Sequence, residues 1–103
     1  MQFVIVAYDG TDEGAFERRM SVRGEHLANI KKLTEAGNVI CAGGILDKNG
    51  KMIGSSLILD FPSRKELYDY LQTEPYAVFG VWQKINVDNF NTVILNNAPY
   101  TNE

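Results

Sequence analysis

A single histidine, His26, stands among the 103 residues. Imidazole is the one side chain whose ordinary titration range straddles neutral pH, so a search for acid/base chemistry begins there. On a helical wheel His26 falls between Ile30 and Leu33, on the apolar side of its segment, with Arg23 about one turn earlier on the same face. A buried face rarely takes two polar residues without a reason. Two readings stand side by side: a core histidine whose nitrogens are satisfied by backbone groups, or a general acid or base in a pocket between helix and sheet.

The carboxylate to test against His26 is Glu74. Pro75 fixes its own φ and pushes Glu74 out of the α region, so the pair reads as one extended residue followed by the first residue of a helical turn. A carboxylate there can simply accept from free backbone N–H groups at a helix start. It can also hold one ring nitrogen of His26, fixing the tautomer and raising the basicity of the other. Arg23 could grip a substrate carboxylate in two-pronged fashion or serve a structural ion pair. Tyr76, Ser21 and Gly44 complete the candidate ligand contacts; Ser21 reads first as a helix N-cap, and Gly43-Gly44 as a bulge or close strand packing that could also leave backbone open to a ligand.

The other chemistries find little here. Cys41 is the only cysteine, which rules out an intrachain disulfide or a thiolate cluster, and flanked by Ile40 and Ala42 it reads as a small buried hydrophobe. No metal site and no cofactor are expected, and nothing resembles a phosphate loop. A net charge of -3 without a Lys/Arg run offers little attraction to nucleic acid or anionic lipid. The apolar run from Phe3 to Tyr8 lacks preceding basic residues and is followed by Asp9, Asp12 and Glu13, unlike a secretory leader. A reducing cytoplasm is the predicted location.

The elements that must position these residues follow from periodicity. Gln2 to Tyr8 reads as a strand closed by Asp9-Gly10. Thr11 to Arg19 is polar and mixed, a helical turn or a loop. A helix is predicted from Val22 to Ala36, with Ser21 as N-cap, Gly37 after its end, and Leu27, Ile30, Leu33 and Thr34 on one side. Asn38 to Leu46 and Lys51 to Phe61 read as a hairpin about Asp47-Lys48-Asn49-Gly50. Ser63-x-x-Glu66 is a capping box opening a second helix. After Glu74-Pro75 come a short turn and a last strand from Val81 to Leu95; Asn96 to Glu103 reads as a frayed tail. The order β-α-β-β-α-β predicts an α+β, ferredoxin-like antiparallel sheet with both helices on one face. Apolar residues occupy both alternating rows of the first and third strands, so a second copy of the sheet is expected to cover the open face as a homodimer.

The stretch Ser21-Val22-Arg23-Gly24-Glu25-His26-Leu27 resembles the Arg-x-x-His-Leu segment of the YCII-related family, and Glu74-Pro75-Tyr76 sits where that family has Asp-Pro-Tyr or Asp-Pro-Phe. Tyr8 at the end of the first strand, Ala42-Gly43-Gly44, Gly54-Ser55-Ser56 and Gly80-Val81 agree in order and spacing. The resemblance runs from Gln2 to about Val93 and implies a domain over residues 1–95 with 96–103 as a tail. It further implies a dimeric α+β barrel, a superfamily that includes muconolactone isomerases, a chlorinated-hydroquinone dehydrochlorinase and cofactor-free monooxygenases. A His-Asp pair is taken as the YCII-related active site, so by position His26 would be the acid/base and Glu74 would stand in for the aspartate, one methylene longer. The expected activity is elimination or isomerisation on a small aromatic or lactone-like acid; the alternative is a ligand-binding or accessory domain without turnover.

Overall fold

The first strand, β1 (Gln2–Asp9), alternates as its sequence requires: Phe3, Ile5 and Ala7 are fully buried, while Val4 and Val6 are half-buried and Tyr8 is exposed. The computed structural model describes residues 1–101. β1 runs through the centre of a four-stranded antiparallel sheet of order β2-β3-β1-β4, with β2 Val39–Leu46, β3 Met52–Asp60 and β4 Trp82–Phe90. Ile5 faces Leu57 on one side and Val87 on the other. Directly opposed residues share a face, so Phe3, Ile5, Leu57 and Leu59 form one inner layer, closed by Leu67, Tyr70, Tyr76 and Trp82. Each fully buried Phe, Ile or Leu contributes about 1.5–3 kcal/mol by removal from water.

The long helix α1 (Ala15–Glu35) begins seven residues before the predicted start. Ser21 is therefore no N-cap: it lies inside the helix, where its hydroxyl donates to the Arg18 carbonyl, 2.8 Å away. The whole of Ala15, Arg19, Val22 and His26 is buried, with Ile30 and Leu33 packed on the core. These positions form one stripe at helical spacing. Leu27, assigned to the apolar side from sequence, stands at its exposed margin. α1 ends as predicted, with Gly37 at φ +85° and the Asn38 N–H bonded to the Leu33 carbonyl, a left-handed C-terminal closure that glycine accommodates without strain.

The β2–β3 hairpin turns where Asp47-Lys48-Asn49-Gly50 predicts; Asp47 Oδ1 accepts from the Asn49 and Lys51 amides, and Gly50 has φ +84°. Ser63 caps α2 (Arg64–Leu71) by accepting from the Glu66 amide at 3.2 Å. Glu74, extended at φ -67° and ψ 118°, opens the single turn α3 (Pro75–Val78).

Three further readings change. β4 stops at Phe90 rather than Leu95, and two short strands, β5 (Ile94–Leu95) and β6 (Ala98–Pro99), form a ribbon about Asn96 and Asn97, both at positive φ. The predicted frayed tail therefore carries a hairpin; its last two residues, 102 and 103, lie outside the described part. Cys41 is exposed on the edge strand β2 rather than buried. On the open face Val4 and Val6 oppose Ile58 and Ser56 on β3 but Asp88 and Asn86 on β4, so this face is apolar in its middle and polar along one edge.

Candidate functional site

His26 and Glu74 come together although 48 residues separate them: Nδ1 lies 2.5 Å from Oε1. The stripe on α1 turns the imidazole inward, and the Glu74-Pro75 break returns the chain beneath it. The carboxylate is wholly buried and has other donors. Its Oε1 also accepts from the Tyr76 amide at 3.2 Å, and its Oε2 from the Tyr70 hydroxyl at 2.5 Å. A carboxylate so surrounded by donors is the acceptor toward the ring, so the imidazole carries a proton on Nδ1.

Aromatic rings hold the imidazole in place. Tyr76 stacks on it with centroids 3.9 Å apart and planes 12° from parallel, and Trp82 meets it edge-on at 6.1 Å. Burial raises the Tyr76 phenol above its ordinary range despite the nearby guanidiniums of Arg19 and Arg23. Tyr70, also buried and beside the Glu74 charge, is pushed far up, so it remains a neutral donor.

Behind Tyr76 lies a group that sequence reading missed. Arg19 is only 3% exposed. Its Nη1 donates to both Asp9 carboxylate oxygens at 2.9 and 3.1 Å, its Nη2 donates to Ser55 Oγ at 2.9 Å, and its guanidinium carbon sits 4.6 Å from the Tyr76 ring centroid. Ser55 Oγ also accepts from Trp82 Nε1 at 3.2 Å. Burial raises the Asp9 carboxyl above its ordinary range even against the pull of Arg19, which marks a pair that is expensive to keep from water. The Arg19 Nε–H is buried without a hydrogen-bond partner among the described residues.

A cavity of about 130 Å³ joins these groups; Arg19, Arg23, His26, Ser55, Leu57 and Tyr76 are among its walls. Of the predicted ligand contacts, Arg23 and Tyr76 border it, and Arg23 has no carboxylate within ion-pair distance among the described residues. Ser21 is exposed and bonded to its own helix, and Gly43 rather than Gly44 reaches the wall. A larger cleft of about 510 Å³ opens beside it at the β1–α1 connection, between Phe16, Lys51 and Lys84. Met52 borders both spaces, but the larger one lacks the histidine. Among the described residues no cluster of three or more His, Cys, Asp or Glu side chains is placed to hold a metal ion, and no helix is long and apolar enough to cross a membrane.

An antiparallel four-stranded sheet backed by its helices defines the class, a ferredoxin-like α+β domain, in which a histidine at a cavity wall meets a fully buried carboxylate. The chain belongs to the YCII-related family, whose domain model matches residues 1–91. It is 32% identical over 99 residues to Protein YciI of Escherichia coli O6:H1 (strain CFT073), covering 90% of this chain and 99% of the relative, and 31% identical over the same length to an uncharacterized protein of Haemophilus influenzae (strain Rd). Among solved structures, 5-chloro-2-hydroxyhydroquinone dehydrochlorinase (TftG) from Burkholderia phenoliruptrix AC1100, in complex with 2,5-dihydroxybenzoquinone, has a TM-score of 0.77 at 23% identity, covering 88% of this chain and 94% of that one. That likeness is one of fold.

Proposed function

We propose that the protein is a small cofactor-free enzyme in which His26 and Glu74 move a proton on a single-ring acid, by elimination or isomerisation. The observation that carries this reading is the contact between Nδ1 of His26, which lines a cavity, and the fully buried Glu74 carboxylate. In the reaction Nε2 takes a proton from a ligand carbon, and the electron pair of the broken C–H bond becomes a new π bond. In elimination the leaving group, such as chloride, departs with its own pair; in isomerisation the proton returns at another carbon. Glu74 orients the ring and offsets the imidazolium charge as it forms.

The cavity's volume bears on the ligand. About 130 Å³ is close to the roughly 150 Å³ of a protein cavity that takes up one benzene ring, which suits a single six-membered ring. Arg23 supplies donors for an anionic substituent, such as a carboxylate or phenolate, and Tyr76 offers contact beside it. The dehydrochlorinase of like fold acts on a substrate of that size class. The protein is proposed to work as a homodimer in the cytoplasm, the apolar middle of the open sheet face meeting its copy.

A second reading, a ligand-binding domain without turnover, is favoured by the length of the Glu74 side chain, one methylene longer than the aspartate that the family resemblance implies, a displacement on the scale of about 1 Å that matters more to catalysis than to binding. One experiment separates the two: a panel of hydroxylated and chlorinated monocyclic acids assayed with the wild type and with His26→Ala. Turnover that vanishes in the variant supports the enzyme. Turnover that persists rejects His26 as its base, and saturable binding with no product throughout supports the second reading.

A further inference from the structure

The Glu74 carboxylate stands at the end of a two-methylene side chain, which could carry it to several places. Here each oxygen is claimed separately. His26 Nδ1 and the Tyr76 amide meet Oε1, and the Tyr70 hydroxyl meets Oε2 at 2.5 Å. Tyr70 sits in the last turn of α2, its ring stacked with Phe61 at a centroid distance of 5.8 Å. The hydroxyl is thus delivered by a rigid, core-packed ring.

We infer that Tyr70 is the positioning residue of the site, fixing the Glu74 carboxylate so that Oε1 stays on His26 Nδ1. The inference rests on the acid/base reading of His26 and Glu74. Tyr70 does not line the cavity; it acts through Glu74. Without the hydroxyl, Oε2 is left buried and short of a donor, and the carboxylate must turn to find another one. The most accessible replacement is the proton on His26, shared between both oxygens with poorer geometry, so the ring loses its fixed orientation.

The test reads the ring, not the reaction. In protein labelled with ¹⁵N at histidine, exchange of the His26 Nδ1 proton with water is measured in the wild type, Tyr70→Phe, Glu74→Leu and the double variant. The expected result is slow exchange in the wild type, exchange about tenfold faster or more in Tyr70→Phe, and no further change when Tyr70→Phe is added to Glu74→Leu. Amide spectra check that each variant is folded; Tyr70→Met, which fills similar apolar space without a donor, replaces Tyr70→Phe if the latter does not fold. Wild-type exchange in Tyr70→Phe would overturn the role of Tyr70 while leaving the His26–Glu74 pair standing. An equal acceleration in the Glu74→Leu background would also overturn it, because the effect would then be general loosening. Exchange in the wild type as fast as in Glu74→Leu would remove the pair, and the positioning role with it.

Discussion

Arg19 and Asp9 form an ion pair almost completely shielded from water, Nη1 of the guanidinium on α1 reaching back to both carboxylate oxygens of the last residue of β1. The pair locks the helix to the sheet at the point where the cavity opens, and it holds the Arg19 guanidinium over the Tyr76 ring. Removing one partner strands the other charge in a dry setting. Asp9→Ala is therefore expected to lower the unfolding free energy by about 3–5 kcal/mol, read as a reduced midpoint in urea. A shift within about 0.5 kcal/mol would match only a surface site.

Two buried phenols make stability depend on alkaline pH. The values of Tyr70 and Tyr76 are raised in the folded protein, so the neutral phenols favour folding. Their contribution is complete below about pH 10, the ordinary unfolded value, and is lost as pH climbs beyond it. The urea midpoint of the wild type should fall between pH 9 and pH 11 (about one unit either side of that value). Tyr70→Phe, with one such phenol fewer, should show a shallower fall from a lower starting point. An equal slope in both proteins would contradict the burial of Tyr70.

Two glycines should respond to alanine with opposite signs. A Cβ at Gly24, in the middle of α1, meets nothing within 4 Å, so Gly24→Ala should stabilise the protein by about 0.5–1 kcal/mol through reduced backbone entropy. A Cβ at Gly54 would lie 2.4 Å from the Ala7 carbonyl oxygen. That atom belongs to the neighbouring strand's backbone and cannot step aside, so Gly54→Ala should cost about 1–3 kcal/mol or more. Thermal melts of the two variants check both.

Shortening Glu74 should separate reach from charge. In Glu74→Asp the carboxylate is retained but withdrawn by more than an ångström, too far to serve Tyr70 and His26 together. A displacement of about 1 Å can reduce a catalysed rate about 10²-fold. The variant should stay folded and bind a ring acid with its affinity changed far less than its rate. Full activity in Glu74→Asp would show that the longer side chain has no tuned role.

Much of this is legible in the sequence, and the exceptions have physical causes. Glu74-Pro75 announces its own geometry because proline restricts both residues, and the hairpin and the Ser63 cap rest on equally local rules. The convergence of His26 with Glu74 needed the topology, which the order of elements supplied. The start of α1 was misread because Ser21 has N-cap chemistry whether or not a helix has already begun; in fact Gly14 precedes the helix and no side chain caps it. Arg19 was passed over for a related reason. Arginine is rarely buried, and its partner Asp9 looked like part of a turn. The i, i+4, i+7, i+11 spacing of Ala15, Arg19, Val22 and His26 was the signal that could have revealed it. The Tyr70 hydroxyl had no sequence signal beyond its position four residues before Glu74.

The central claim is that His26 takes a proton from a ring-bound ligand, and solvent isotope exchange tests it most directly. A hydroxylated monocyclic aromatic acid is incubated with the protein in D₂O, and loss of its ring C–H signals is followed by NMR. The account predicts deuterium incorporation accelerated by the wild type, strongly reduced by Glu74→Leu, and absent above background with His26→Ala. Exchange undiminished in His26→Ala, or none with the wild type across a panel of acids shown to bind, would contradict it.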